Sequence, residues 1–292
     1  MNHISRRNFL KAGVAAGALA GVGELPLHAE RETATDWVTL GRSNMKVTRL
    51  AMGLGTNNGN VQAALGQEGL TSLVHYAYDR GIRFFETAQV YHTPAMLGIA
   101  LKGLSRESYR LMTKVQTDLG GDPKTTLEAM RKTMDTDYFD IMLLHYQHFA
   151  TWPEDTKAWQ DAILEAESRQ VIKTHGASVH GLPALRRVPD NEWLKIAMIR
   201  MNHTGRRMDT EDFMHDEHGN VDAVVDHVKM AKASGLGVIS MKLIGEGVFN
   251  HEDRQKAMRF AFRTAGVDTV TVGMKSPAEV DEAIDNLNLA LA

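Results

Sequence analysis

The chain has 292 residues, 43% of them hydrophobic and 24% charged, the make-up of an ordinary globular protein with apolar material for one large core. Its formal charge of -3, with the two signs interspersed, excludes the basic stripe that a nucleic-acid backbone requires. It has no cysteine, which excludes disulfides, thiolate zinc sites and Cys-ligated iron-sulfur clusters and suits an oxidising compartment.

Near its start the chain carries Ser5-Arg6-Arg7-Asn8-Phe9-Leu10-Lys11, followed by a mildly apolar run from Ala12 to Gly23 that is too short and too Gly-rich for a membrane span. The S-R-R-x-F-L-K pattern reads as a twin-arginine export signal over residues 1–30, with cleavage expected near Ala29. A basic amphipathic helix is the plainer alternative. The signal implies the Tat export machinery as a partner, a periplasmic destination and no membrane span in the mature protein. That route carries folded proteins, so a cofactor would be loaded before export.

Trp37 to Val47 reads as a small hairpin with a Ser43-Asn44 turn. Strand-like runs then follow at Arg49 to Leu54, Ile82 to Thr87, Tyr109 to Lys114, Asp140 to His145, Val171 to Ser178, Ile196 to Met201, Gly237 to Lys242 and Thr269 to Val272. Helix-like segments alternate with them at Gln67 to Asp79, Met96 to Leu104, Thr125 to Met134, Pro153 to Ser168, Leu182 to Arg187, Val221 to Ala233, His251 to Thr264 and Pro277 to Leu291. Eight such units in about 250 residues predict an α/β fold, a closed (β/α)8 TIM barrel in a single domain over residues 31–292, preceded by the β-hairpin. A doubly wound open sheet is the alternative, but no G-x-G-x-x-G follows the first strand. The longest irregular stretch, Asn202 to Asn220, is expected over the barrel mouth, where long loops select substrates.

Three of the strands close on groups that hold or move protons. Ile82 to Phe85 runs into Glu86, with Tyr91 five residues on; the next two strands end at Lys114 and His145. In this the chain resembles the aldo-keto reductases, whose hallmark is an Asp at a strand end, a Tyr five positions later, then a Lys and a His ending the next two strands. Here Glu86 stands at the Asp position. The resemblance covers most of Trp37 to Ala292. It implies reduction of an aldehyde or ketone, or oxidation of the alcohol, with NADP(H) as cofactor. Tyr91 would donate the proton, Lys114 would lower the pKa of the phenol, His145 would orient the carbonyl, and Glu86 would pair with Lys114.

The resemblance also assigns cofactor-binding positions. Gly55 and Thr56 follow the first strand, where glycine permits close backbone approach. Gly176-Ala177-Ser178-Val179 matches a Gly-Val-Ser-Asn pattern that grips the nicotinamide amide, keeping Ser178 and replacing the Asn by Val179. Met198 stands at the usual Gln, and Met241 at the aromatic that covers the ring. Gly273, Lys275, Ser276 and Glu282 match the phosphate and adenine segment at a helix N-terminus. Lys275 and Ser276 there favour NADP(H) over NAD(H), and Ala283 replaces an Asn.

No metal is assigned in this reading. A rival one gathers His92, His145, His180 and His203, all at or beyond strand ends, with Glu86 as ligands for a divalent metal. His215-Asp216-Glu217-His218 reads as a solvated loop. A third reading keeps the barrel as a small-molecule-binding protein without turnover. Substrate identity and oligomeric state are not encoded in any motif of this chain.

Overall fold

The computed structural model describes residues 31–212 and 218–292. The expected export signal and the histidine-acid run at 215–217 lie outside the described residues.

Trp37–Leu40 (β1) and Met45–Thr48 (β2) pair antiparallel, with Leu40 opposite Met45. Asn44, at φ +54, supplies the left-handed residue that the tight connection needs. Eight parallel strands follow: Leu50–Gly53 (β3), Phe84–Glu86 (β4), Arg110–Gln116 (β5), Phe139–Gln147 (β6), Ile172–Val179 (β7), Ile196–Arg200 (β8), Gly237–Met241 (β9) and Thr269–Gly273 (β10). Each pairs with the next and β10 pairs with β3, closing the barrel. The chain from Glu32 to Ala292 is one compact unit.

Period-two alternation sorts the strand residues into two shells. Ala51, Phe84, Met112, Ile141, Leu143, Ile196, Met198, Ile239 and Met241 pack inside the barrel, where Leu40 and Val47 of the hairpin join them and plug the N-terminal end. Phe85, Val115, Leu144, Ala177, Val179, Ile199 and Val238 face the helices. Burying one such side chain stabilises the fold by about 1.5–3 kcal/mol, so a register slip that inverted any strand would be costly. The same parity turns Glu86, Lys114, His145, Ser178 and Arg200 inward as the layer above the apolar plug.

The helices start where capping residues allow. Asp122 caps Pro123–Thr133, Asn220 caps Val221–Ala233, Asn250 caps His251–Arg259 and Ser276 caps Pro277–Leu291, each side chain accepting a first-turn amide hydrogen bond. Two differences from the expected elements matter here. β5 and β6 extend past Lys114 and His145, because pairing continues to Gln116 opposite His145 before a bulge at Tyr146, which takes φ +61. Lys114 and His145 therefore sit inside their strands, fixed by backbone on both sides. The segment expected as one helix from Pro153 to Ser168 divides into Trp152–Asp155 and Lys157–Ser168, with Thr156 between them.

Candidate active site

Glu86 ends β4, and its neighbour across the sheet, β5, brings Lys114 to the same level. Both side chains are buried, and the Lys114 ammonium donates to Glu86 Oε1 and, at 2.9 Å, to the carbonyl of Thr87. The extra methylene of Glu86 has room because position 53 is glycine. A Cβ there would lie 3.1 Å from Glu86 Oε2 and 3.0 Å from Thr271 Oγ1.

Tyr91 comes back over this pair on the loop after β4. Lys114 Nζ stands 4.9 Å from the centre of its ring, and the His145 ring meets it edge-on with centroids 5.7 Å apart. Gly55 is the surface on which the ring rests: a Cβ there would be 2.3 Å from Tyr91 Cε2 and 2.7 Å from the hydroxyl oxygen. The glycine is thus required by contact, since its φ is not in the left-handed region.

Burial sets the protonation states. It pushes the Tyr91 phenol up, with the nearby Glu246 charge adding to the effect. The Lys114 ammonium, expected to lower that phenol, is paired with Glu86 and Thr87 and stands 4.9 Å from the ring centre. Burial, then the Lys242 charge, holds Lys114 well below its ordinary value, with the Glu86 carboxylate beside it as counter-charge. Burial, then Lys114 and Lys242, likewise holds His145 well below its ordinary value, so the imidazole is neutral; its Nδ1 is buried with no hydrogen-bond partner.

A cavity of about 330 Å³ opens beside Tyr91 and Glu86 and runs to Lys275 and Glu282 at the start of the last helix. Gly55, Thr56, Met198, Met241 and Gly273 line it. Gly273 is a cradle: a Cβ would strike Thr56 Oγ1 at 2.0 Å and Gln62 Nε2 at 3.2 Å. Gln62 is fully buried on the wall, and its Oε1 accepts nothing. An elongated cleft with a glycine-lined floor and an orphaned acceptor fits the sugar-phosphate portion of a dinucleotide.

The remaining assigned positions fall differently. Ser178 does not line the cavity; its hydroxyl is 3.0 Å from His180 Nε2. Arg200 donates to His180 Nδ1 at 2.7 Å, which makes Nδ1 the acceptor and Nε2 the donor to Ser178. Val179 packs in the outer shell against helices. Ser276 Oγ is occupied as the helix cap, and the Lys275 amide donates to Glu279 at 2.8 Å. Glu282 is gripped by Arg254 at 2.6 and 3.0 Å. Among the histidines weighed as metal ligands, His92 is exposed, His180 is committed to Ser178 and Arg200, and His203 Nε2 is 3.6 Å from Asp253. No group of three or more metal-ligating side chains converges among the described residues.

The sequence reading passed over Gln62, Lys242, Glu246 and the buried Arg200–Asp209 pair at 3.4 Å. Lys242 carried a visible signal, a cation closing an apolar strand in the manner of Lys114. Gln62 and Glu246 carried none.

The aldo/keto reductase family model matches residues 51–257, and that of the TAT (twin-arginine translocation) pathway signal sequence matches residues 3–23. Probable aldo-keto reductase 1 of Glycine max is 32% identical over 125 residues, 38% of this chain and 35% of that protein. Methylglyoxal reductase DkgA of Escherichia coli O157:H7 is 29% identical over 147 residues, 46% of this chain and 51% of that protein. The chain therefore spans about a third to a half of these curated relatives. Among solved structures, an aldo-keto reductase from Klebsiella pneumoniae in complex with NADPH superposes with a TM-score of 0.64 at 18% identity, covering 87% of this chain and 90% of that one.

Proposed function

Because the chain belongs to the aldo/keto reductase family, we propose that it reduces an aldehyde or ketone, or oxidises the corresponding alcohol, with NADP(H) in the cleft between Tyr91 and Lys275. The observation that carries this reading is that Tyr91, with Lys114 and His145 against its ring, stands with Glu86 on the wall of one cavity that runs on to the last helix. The NADPH complex of the Klebsiella pneumoniae relative and the methylglyoxal reductase relatives support the cofactor and the carbonyl class. The twin-arginine match supports residues 1–30 as a signal, residues 31–292 as the exported barrel, and a periplasmic site of action.

The residues divide the work as follows. When bound, the nicotinamide supplies the hydride. Gly55, Thr56 and Gly273 form the floor that lets a ligand approach the backbone closely, and Gln62 Oε1 accepts from a ligand hydroxyl. His145, neutral, orients the carbonyl oxygen by a ring N–H. Tyr91 rests protonated at any working pH because burial raises its phenol, and it gives up that proton only as negative charge grows on the carbonyl oxygen. Lys114, fixed by Glu86 and Thr87, offers its charge to the tyrosinate ring as it forms.

Tyr91→Phe tests this directly. A general acid contributes about 10²–10⁴-fold, so NADPH oxidation with a panel of aldehydes that includes methylglyoxal should fall by at least about a hundredfold, while calorimetric NADPH binding persists. Unchanged turnover removes Tyr91 from its role. Wild-type protein that binds NADPH yet reduces nothing in the panel turns the reading to a binding protein without turnover.

A further inference from the structure

A second charge cluster stands at the cavity, close enough to the Tyr91 group for its charges to act on it. Lys242, the residue after β9, donates to Glu246 Oε1, and Arg207, from the long loop after β8, meets Glu246 Oε2 at 2.8 Å. Lys242 and Glu246 line the cavity. All three side chains are only partly exposed, Arg207 the most at 34%.

Their backbone is unusual. Lys242 and Glu246 have φ of +57 and Arg207 has φ of +54, so every member of the trio is in the left-handed region that side-chain-bearing residues avoid. Such residues are strained and collect at ligand clamps and switches, where the surroundings over-determine them. Two cations, one on each oxygen of a single carboxylate, also reproduce the way paired cations hold the oxygens of a phosphate.

Glu246 itself is hinged. Gly245 at φ +59 and Gly247 at φ +89 flank it, and Val248 beyond them is 59% exposed. The carboxylate can leave without dragging packed side chains, whereas Lys242 extends directly from a barrel strand.

We infer that Lys242 and Arg207 form an oxyanion clamp for the diphosphate bridge of the dinucleotide, and that Glu246 is an internal carboxylate filling the clamp until that ligand displaces it. This rests on the proposed dinucleotide reading of the cleft. Binding then exchanges one set of ion pairs for another, so the resting carboxylate weakens apparent affinity by the strength of its own pairs.

The test is calorimetric titration of the full chain with inorganic pyrophosphate and, separately, with NADPH. Glu246→Gln keeps the shape and removes the charge; it should bind both about tenfold more tightly than wild type, in keeping with the coupling energies of close buried charge pairs. Adding Lys242→Met to Glu246→Gln should abolish the gain. NADPH bound equally by wild type and Glu246→Gln overturns the clamp while leaving the dinucleotide reading intact. Tighter pyrophosphate with no NADPH binding by either protein supports an oxyanion clamp and overturns its assignment to a dinucleotide. Pyrophosphate binding that is unchanged or weakened overturns the clamp outright. Should Glu246→Gln fold poorly, as judged by circular dichroism, Glu246→Ala carries the same comparison.

Discussion

Gly55→Ala isolates the placement of Tyr91 from its chemistry. The added methyl would lie 2.3 Å from Cε2, 2.5 Å from Cζ and 2.7 Å from the hydroxyl oxygen of Tyr91. Non-bonded carbons rest at about 3.5–4.0 Å, so the ring must retreat by more than ~1 Å. A displacement of about 1 Å at a reacting group costs about 10² in rate. Position 55 is not in the left-handed region, so alanine meets no backbone penalty there; the cost is overpacking against the ring, about 1–3 kcal/mol, which lowers the melting temperature by a few degrees and leaves the protein folded. The assay is steady-state NADPH oxidation with the best aldehyde found for wild type, with NADPH affinity measured alongside. The expected result is kcat lower by about a hundredfold with the fold intact. The double variant with Tyr91→Phe should be no worse than Tyr91→Phe alone, because both act through one hydroxyl. A kcat within about twofold of wild type, or losses that multiply in the double variant, would refute the claim that Gly55 acts by seating Tyr91.

Glu279 accepts the Lys275 amide and stands 3.9 Å from its ammonium, so Glu279→Gln should release that cation for a 2'-phosphate. NADPH affinity should rise several-fold relative to NADH, the scale of an exposed pair, as read by competitive titration. Asp209 gives a pH signature. Its carboxyl is pushed by burial up to about 6 from 3.8, against the pull of Arg200 and the Gly181 amide. Between those values the folded state keeps a proton that the unfolded state has lost. Its contribution is therefore whole below about pH 4 and is lost as pH rises through about 6, with a span of ~3 kcal/mol at ~1.4 kcal/mol per unit. Asp209→Asn should flatten that part of the stability curve in urea unfolding at a series of pH values. An unchanged wild-type-minus-variant difference across the window would contradict the assignment.

The barrel was legible because its signals are local: apolar strands with period two, helices opened by Pro123 or Pro277, and glycines between them. Glu86, Tyr91, Lys114 and His145 were legible for the same reason, since strand order alone brings consecutive strand ends together. What stayed hidden depends on contacts between distant segments. The capture of Ser178 by His180 is set by Arg200 from the neighbouring strand, and the state of Tyr91 is set by burial and by Glu246. The Lys242, Glu246 and Arg207 backbones gave no sign, because left-handed residues are ordinarily announced by Gly or Asn. Val179 could have been read more fully: alternation with Ser178 places it on the helix-facing side, where valine belongs.

The departures from the family pattern separate into two kinds, and the separation bears on mechanism. At the proton-handling end the change is compensated. Glu86 is longer than the usual Asp, but Gly53 leaves space for it and the pair with Lys114 persists. At the end where the nicotinamide amide would be gripped the changes are not compensated in kind. Val179 has turned to the outer shell, Met198 and Met241 offer only polarizable apolar surface, and Ser178 faces His180. In the proposed reading the acid end of the site is thus kept, whereas ring orientation is left to methionine packing. Binding in the proposed reading then rests mainly on the far end, on Gly273, Gln62, Lys242 and Lys275. Restoring an amide by Met198→Gln should consequently raise kcat more than it tightens NADPH, because it acts on the orientation of the ring rather than on the contacts that hold the rest of the molecule. An equal effect on binding and turnover would place Met198 among the residues that merely hold the ligand.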